Sequence, residues 1–184
     1  MVVLMHTCDK YSELWDSFVY YFDKHFKDNL KKYIATEEKK VNYKGWINIK
    51  TGKGEWSDRL RIALKQIPDD QIFYIQEDIW LDKDFELPKC IHVCPTNKYL
   101  KTKGGVFEKE SDYLMNHKPA IWDKEFFLKY LKPNQTPWEN EKKESIEIRK
   151  NNDHKNITII EKNYYKDVCR KGNLTTDGIK LKIK

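Results

Sequence analysis

The sequence predicts an α/β fold, with a mostly parallel central sheet flanked by helices in a single compact domain. A short apolar run at residues 2–5 indicates a buried strand, and an amphipathic helix and a second strand at residues 33–36 follow it. A further apolar run at residues 72–75 ends abruptly in polar residues, as a strand buried on both faces of a parallel sheet does. The length of 184 residues fits one domain with its own core.

The first helix is predicted from an apolar period of four residues. A large apolar side chain recurs at every fourth position, namely at Leu14, Phe18, Phe22 and Phe26. This spacing places these side chains on one face of a helix. The polar turn before them places the helix start near Asp9 or Ser12.

A loop rich in glycine and lysine at residues 50–54 comes before the second predicted helix. Ser57 is expected to cap this helix, because serine side chains accept hydrogen bonds from the first free N–H groups. The apolar face of the helix begins at Leu60, and Pro68 marks its end. The buried strand at residues 72–75 follows.

The second half of the chain is less regular. Asp123 is expected to start one helix, and Thr136 another, since proline follows Thr136 and Glu139 completes a capping box. The charged residues 142–155 indicate a surface helix or loop. The basic tail at residues 163–184 is predicted to be loosely structured.

Composition narrows the classes of function. The formal net charge is +6, but acidic and basic residues interleave, which is typical of a solvated, lysine-rich surface. No nucleic-acid-binding motif is present, and no run approaches the roughly 18 apolar residues of a membrane span. Four cysteines are too few for a disulfide scaffold, so a reducing, cytoplasmic location is expected.

The acidic pair Glu77-Asp78 directly follows the apolar run at residues 72–75. Ligands of open α/β sheets bind beyond the carboxyl ends of the strands, so these carboxylates lie where a ligand is expected. Carboxylate oxygens hold Mg²⁺ or Mn²⁺, and such a cation bridges two phosphates. An ordinary acidic turn after a strand has the same sequence, so position alone leaves both interpretations open.

Two further carboxylates, Glu139 and Glu141, lie near the start of the helix at Thr136, beside Trp138. An inverting sugar transfer needs a general base that deprotonates the acceptor hydroxyl, and an aromatic ring can stack on a sugar. Glu139 already serves the capping box. Glu141 has no such role and is the preferred base, although a plain helix surface also explains it.

Arg59 lies at a predicted helix start behind the loop at residues 50–54. An arginine there is placed to contact a phosphate or a base. The alternative is a surface arginine paired with Asp58.

Strand alternation places Cys90, His92 and Cys94 on one face. Their spacing is not that of common zinc sites, and no second half of such a site is evident. A packed strand face is therefore favoured over a metal site.

Five segments, in their order along the chain, carry a family resemblance. They are Thr7-Cys8-Asp9-Lys10-Tyr11, Trp56-Ser57-Asp58-Arg59-Leu60, Tyr74-Ile75-Gln76-Glu77-Asp78, Pro119-Ala120-Ile121-Trp122 and Pro137-Trp138-Glu139-Asn140-Glu141. In this order the chain resembles small bacterial and viral glycosyltransferases of the GT-A type, similar to the glycosyltransferase-2 group. The resemblance covers about residues 2–145.

The resemblance implies a nucleotide-sugar-binding half at about residues 1–82 and an acceptor half with the basic tail at about residues 83–184. It places Gln76, Glu77 and Asp78 where the family has its metal-binding Asp-x-Asp motif, with Asp78 as the direct ligand of Mn²⁺ or Mg²⁺. Gln76 departs from that motif, since it replaces the first acid.

The other implied roles are distributed over both halves. The nucleotide or donor would be bound by Thr7, Asp9, Thr36 and Arg59. The acceptor would lie beside Trp122 and Trp138, and the base would be Glu141 or Glu139. The diphosphate would be covered by the tail residues Lys166, Arg170 and Lys171.

The function implied is transfer of a sugar from a UDP- or GDP-linked donor to a hydroxyl of a glycan or protein acceptor. The transfer would be inverting and assisted by Mn²⁺ or Mg²⁺. The alternative is a non-catalytic module of the same fold that binds a nucleotide or a glycan.

Overall fold

The computed structural model describes residues 1–87, 92–93, 102–103, 106–107, 109–159 and 164–183. The strands are β1 (Val2–His6), β2 (Lys32–Thr36), β3 (Trp46–Lys50), β4 (Gln71–Gln76), β5 (Ile79–Leu81), β6 (His92–Val93), β7 (Thr102–Lys103), β8 (Val106–Phe107), β9 (Ala120–Asp123), β10 (Thr158–Ile159), β11 (Tyr165–Asp167), β12 (Cys169–Arg170) and β13 (Asn173–Leu174). The helices are α1 (Trp15–His25), α2 (Trp56–Gln66), α3 (Lys124–Tyr130), α4 (Pro137–Lys150) and α5 (Thr176–Leu181), with 3₁₀ turns at Asp9–Leu14 and Asp153–Asn156.

The central sheet has the strand order β3-β2-β1-β4-β9, and the short strands β6, β10, β8 and β7 continue it beyond β9. The first four strands run parallel, and β9 runs antiparallel to β4. The predicted α/β fold with a mostly parallel sheet and flanking helices is therefore confirmed. The edge strand β3 is not predicted, because Asn48 interrupts its apolar residues and Ile47 is exposed.

Both faces of the sheet are covered, which explains the continuous apolar runs of β1 and β4. Successive residues of a strand point to opposite faces. One core, on the side of α2, α3 and α4, includes Leu4, Tyr74, Leu64 and Phe127. The other core, on the side of α1, includes Met5, Phe73, Phe22 and Trp80. The apolar period predicted for α1 is confirmed, since Phe18 and Phe22 are fully buried.

Two predicted helix starts are confirmed and one is wrong. The Asp123 carboxylate accepts the N–H of Phe126 at 2.9 Å, and Thr136 forms a complete capping box. Ser57 lies inside the first turn of α2 rather than at its cap, a position that Glu55 holds without a side-chain hydrogen bond. The Ser57 hydroxyl instead accepts the N–H of Gln135 at 2.9 Å, so it joins α2 to the start of α4.

The prediction of a loosely structured tail is wrong. β11 pairs with β5, β12 and β13 form a hairpin, and α5 follows. Tyr164, Tyr165 and Val168 are buried in the α1-side core, and burial of such side chains offsets the entropy of ordering the segment. The Val168 N–H also donates to the carbonyl of Asp78 at 2.8 Å.

The charged segment at residues 142–155 begins as α4, and it buries one face through Glu144, Ser145 and Ile148. The face formed by Cys90, His92 and Cys94 lies outside the residues whose side chains are described. Within the described ranges, no helix has both the length and the apolar character needed to cross a membrane. The division near residue 82 stays a prediction.

The packing of the tail is testable at Gly178 in α5. A Cβ at this position would meet the carbonyl oxygen of Val168 at 2.2 Å, so Gly178→Ala must displace α5 from the tail strands. We expect the free energy of unfolding to fall by about 1–3 kcal/mol in urea denaturation, despite the higher helix propensity of alanine. The control Ile179→Ala, at a side chain that is 67% exposed, should change it by less than about 0.5 kcal/mol. Equal stability of the two variants would contradict the docked tail.

Candidate active site

A cavity of about 400 Å³ opens at the carboxyl edge of the parallel strands. β1 and β4 end beside each other, with His6 paired to Gln76 in register. The residues after these strands form one wall, and the first turns of α2 and α4 form the opposite side. The tail completes the rim through Cys169, Lys171 and Gly172. Ligands of open α/β sheets bind at this kind of edge.

Glu77 is a buried carboxylate at the end of β4, and Asp78 beside it is half-buried. Burial, followed by the charge of Asp78, raises the pKa of Glu77 to about 8. Burial also raises the pKa of Asp78 to about 6, and the nearby Asp167 adds to this shift while Lys118 opposes it. The Oδ1 atom of Asp78 is buried and accepts no hydrogen bond from the protein. Adjacent carboxylates with this burial are stabilised by a cation.

The two carboxylates fit a hard divalent cation such as Mn²⁺ or Mg²⁺. The described part of the chain contains no cluster of three or more histidine, cysteine, aspartate or glutamate side chains arranged for a metal. One or two carboxylates suffice for Mg²⁺ at a phosphate, because water and phosphate oxygens usually supply its other ligands. Gln76 also lines the cavity, but its amide donates to the hydroxyl of Tyr74 at 2.8 Å.

An ion pair between Lys118 and Asp167 lies next to Asp78. The Lys118 ammonium donates to a carboxylate oxygen of Asp167 in β11. Lys118 lowers the pKa of Asp78, so part of the negative charge of this wall is already balanced. Sequence reasoning missed Lys118, because a single lysine before β9 has no distinguishing pattern.

Glu141 and Glu139 have different surroundings. Glu141 lines the cavity, and its Oε1 accepts the backbone N–H of His117 at 2.9 Å. Burial raises the pKa of Glu141, while the His117 N–H and Lys118 act against this shift. Glu139 is exposed, and its Oε2 accepts the N–H of Thr136 at 3.0 Å in the capping box. Only Glu141 therefore faces the cavity.

Arg59 is buried and holds the backbone at the cavity wall. Its Nη1 donates to the carbonyl of Thr7 at 2.6 Å, and its Nε donates to the carbonyl of Gly54 at 3.1 Å. It does not pair with Asp58, whose carboxylate accepts the N–H of Asn134, so the surface alternative is wrong. Arg59 also lines the cavity, and two of its five N–H groups donate to the backbone.

Thr7 lies at the cavity, whereas Asp9 and Thr36 do not. The Asp9 carboxylate accepts the N–H groups of residues 37–39 at 3.2, 3.0 and 2.9 Å. The Thr36 hydroxyl donates to the carbonyl of Lys39 at 2.6 Å. Both residues therefore shape the loop after β2, and their contact with a nucleoside stays a prediction.

Trp138 and Trp122, both predicted to border an acceptor, lie in different environments. Trp138 is 67% exposed at the rim of the cavity. Trp122 is fully buried and stacks on Phe126 and Phe127, so an acceptor cannot reach it. The expectation for Trp122 is wrong because β9 pairs it with Ile72 and turns its side chain into the α2-side core.

The three basic residues of the tail also separate. Lys171 lines the cavity from a turn in which it and Gly172 have positive φ angles of 50° and 80°. Lys166 pairs with Asp82 at 3.6 Å, and Arg170 lines a different surface groove. Of these three tail residues, only Lys171 is placed to approach an anionic ligand in this cavity.

Two histidines that sequence reasoning did not select line the cavity with Trp56. His6 and His117 are buried, with exposed fractions of 1% and 4%. Burial lowers the pKa of both, to about 3 for His117, and Arg59 adds to the effect on His6. The one available signal was the position of His6 at the end of an apolar strand, which matches that of Gln76.

Comparison with known proteins gives a likeness of fold. No family model and no characterised sequence matches the chain. Among solved structures, S. aureus TarS matches with a TM-score of 0.51 and 8% identity, over 90% of this chain and 36% of TarS. An active-site mutant of LgtC matches with a TM-score of 0.48 and 10% identity, over 86% of this chain and 72% of LgtC. The apo form of the glycosyltransferase GlyE from Streptococcus pneumoniae TIGR4 matches with a TM-score of 0.42 and 12% identity, over 82% of this chain and 36% of GlyE. The chain thus spans about a third of TarS and GlyE, and identities this low show shared fold alone.

The burial of Glu77 predicts a pH-dependent stability. The folded protein keeps a proton on Glu77 that the unfolded chain releases above a pKa of about 4.5, so stability falls as the pH rises from about 4.5 through about 8. Glu77→Gln mimics the protonated carboxyl and removes this loss. In urea denaturation without divalent cations, we expect the variant to gain on the order of 2 kcal/mol over the parent protein between about pH 5 and pH 9.

Glu139→Gln is the matched control for this experiment. The hydrogen bonds from Thr136 lower the pKa of Glu139, so this carboxylate is ionised in both folded and unfolded states above about pH 5.5. Its effect on stability should therefore be constant over the upper part of the range. If the difference in free energy of unfolding between Glu77→Gln and the parent protein is also constant with pH, Glu77 is not buried as a protonated acid.

Proposed function

We propose that this protein is a glycosyltransferase that moves a sugar from a nucleotide-sugar to an acceptor hydroxyl. The observation that carries the proposal is the meeting of Glu77, Asp78 and Glu141 at one cavity on the carboxyl edge of a parallel sheet. Two of these carboxylates suit a cation and a diphosphate, and the third suits a general base. The likeness of fold to TarS supports the same class of reaction.

The donor in this proposal is a UDP- or GDP-linked sugar whose diphosphate lies at the end of β4. Asp78, with Glu77 behind it, would hold Mn²⁺ or Mg²⁺. A bound cation supplies positive charge that stabilises the departing diphosphate. Lys171, from the tail turn, adds a flexible positive charge on the same side, and Thr7 offers polar atoms from the end of β1.

Glu141 is the proposed base of a single, inverting displacement. The acceptor oxygen forms a bond to the anomeric carbon as the bond from that carbon to the diphosphate oxygen breaks, and the hydroxyl proton moves to the carboxylate of Glu141. A partly raised pKa favours this role, since a base is most effective when its pKa approaches the working pH.

The acceptor is a hydroxyl of a glycan or protein that approaches past Trp138. An exposed tryptophan at a cavity rim offers a flat apolar surface on which a sugar ring can stack.

The proposed location is a reducing, cytoplasmic one, in keeping with the free thiols of Cys8 and Cys169.

Asp78→Asn tests the metal-binding role. We expect Mn²⁺ with UDP or GDP to raise the Tm of the parent protein by mass action, and the Mn²⁺-dependent part of this rise to disappear in the variant. Transfer or donor hydrolysis should fall at least about 100-fold. Asp58→Asn is the matched control, because this carboxylate lies outside the cavity and accepts an N–H bond that asparagine can also accept. An unchanged Mn²⁺ response in Asp78→Asn would exclude Asp78 as the ligand.

Glu141→Gln tests the base and separates an enzyme from a binding module. We expect kcat to fall about 10²- to 10⁴-fold, with little change in donor affinity measured by calorimetry. Glu139→Gln should retain kcat and change the free energy of unfolding by less than about 0.5 kcal/mol, because glutamine also completes a capping box. If the parent protein binds nucleotide yet turns over no donor in a panel of UDP- and GDP-sugars, the non-catalytic module is the better description.

A further inference from the structure

The inner surface of the cavity contains a group of side chains for which the mechanism above has no use. We call His6, Trp56 and His117 the cavity floor. The rings of Trp56 and His117 lie 4.3 Å apart, and those of His6 and Trp56 lie 5.9 Å apart. All three line the cavity.

His6 is buried, and the protein satisfies neither of its ring nitrogens. Its exposed fraction is 1%, and neither Nδ1 nor Nε2 has a protein hydrogen-bond partner. Leaving a buried polar group without a partner destabilises a protein, and such groups are few in native structures. An apolar residue at the end of β1 would be more stable, so a ligand that completes these hydrogen bonds explains the histidine.

His117 also lines the cavity, and its tautomer follows from its neighbours. The Asn140 amide group donates to the carbonyl of Tyr130 at 2.8 Å and to Gln135 at 2.7 Å, so its oxygen is left to face His117. His117 Nε2 lies 2.9 Å from that oxygen and therefore bears the hydrogen. Nδ1 is then an acceptor, and no protein group donates to it.

The cavity floor lies between the two parts of the proposed reaction centre. The backbone N–H of His117 donates to the proposed base Glu141, and His6 precedes Thr7 and pairs in register with Gln76, next to the proposed cation ligands. In an inverting transfer, the sugar lies between the base side and the diphosphate. The cavity floor is therefore adjacent to the sugar rather than to the nucleoside.

The cationic side chains near the floor already have partners in the protein, and the carboxylate of Glu141 borders the floor. Arg59 bonds to backbone carbonyls, Lys118 pairs with Asp167, and Lys171 belongs to the tail turn. The floor itself has two neutral imidazoles and one indole. A hydroxyl can donate to His117 Nδ1 and exchange hydrogen bonds with His6, whereas a carboxylate would be desolvated without a partner cation.

From this arrangement we infer that His6 and His117 recognise the hydroxyl groups of an uncharged donor sugar, and that the cavity floor selects against a uronic acid. The inference rests on the proposed function and specifies its substrate class. His6 and His117 are specificity-determining residues in this reading, and Glu141 remains the base.

Two variants test the histidines separately. His117→Gln is chosen because a glutamine amide can still donate to Asn140 but lacks Nδ1. His6→Phe keeps a ring beside Trp56 and removes both unpaired nitrogens. In calorimetry, we expect each variant to bind UDP-glucose about threefold to tenfold more weakly while UDP binds with unchanged affinity. His6→Phe should also keep or raise the Tm, which a histidine with a purely structural role would not do.

His154→Phe is the matched control, because His154 is also a buried histidine with an unbonded Nδ1 but lies outside the cavity. His154→Phe should bind both UDP and UDP-glucose with the affinity of the parent protein. If the cavity variants weaken UDP and UDP-glucose equally, or weaken neither, the floor does not contact the sugar and the inference is overturned.

A pair of donors tests selection by charge. UDP-glucose and UDP-glucuronate differ only in the carboxylate at C6, and we expect the parent protein to bind the former at least tenfold more tightly. GDP-mannose and GDP-mannuronate serve in the same way if GDP rather than UDP binds. Equal affinity within the pair overturns the inference and leaves the proposed function standing. If neither UDP nor GDP binds, the proposed function fails, and the inference fails with it.

Discussion

The parallel pairing of β1 with β4 determines both the core and the cavity. Leu4 lies in the α2-side core and Met5 in the α1-side core, so a slip of one residue along the sheet would move every side chain of β1 to the opposite face. The same register sets His6 beside Gln76, so the two strands end together at the carboxyl edge. The packing that prevents a slip in the core therefore also holds the polar residues after both strands at one cavity.

The tail makes a second contribution, because it encloses the wall that contains Asp78. β11 pairs with β5, the Val168 N–H donates to the carbonyl of Asp78, and Asp167 binds Lys118. These contacts keep water from the carboxylates, and desolvation is the largest cause of their raised pKa values. A buried acid at this point destabilises the free protein. The apolar burial of Tyr165 and Val168 in the tail offsets this destabilisation.

Local patterns explain how much of this structure was predictable. β1, β2 and β4 and helices α1 to α4 follow from apolar runs, periodicity and capping residues, all of which act over a few positions. The ordered structure of the tail does not follow from local patterns, because its strands are two or three residues long and depend on pairing with β5 and with each other. In the site, Glu77, Asp78 and Glu141 could be selected because each follows a recognisable strand end or helix start. The side-chain direction of Trp122 depends on the register of β9, and the tautomer of His117 depends on Asn140, and neither is a local property of the sequence.

The start of α4 shows how one helix assigns different tasks to neighbouring polar residues. Positions two apart on a helix point in nearly opposite directions, since each residue advances about 100°. The capping box turns Glu139 towards solvent, and Asn140, which is fully buried, bonds to Gln135 and to the carbonyl of Tyr130. With these two residues fixed, the helix cannot rotate, and Glu141 must face the cavity. Asn140 also sets the tautomer of His117, whose backbone N–H holds the Glu141 carboxylate. One buried amide thus positions both the proposed base and the hydrogen-bond acceptor of the cavity floor. The proposed proton transfer and the proposed choice of sugar would therefore depend on the same rotation of α4 about its axis.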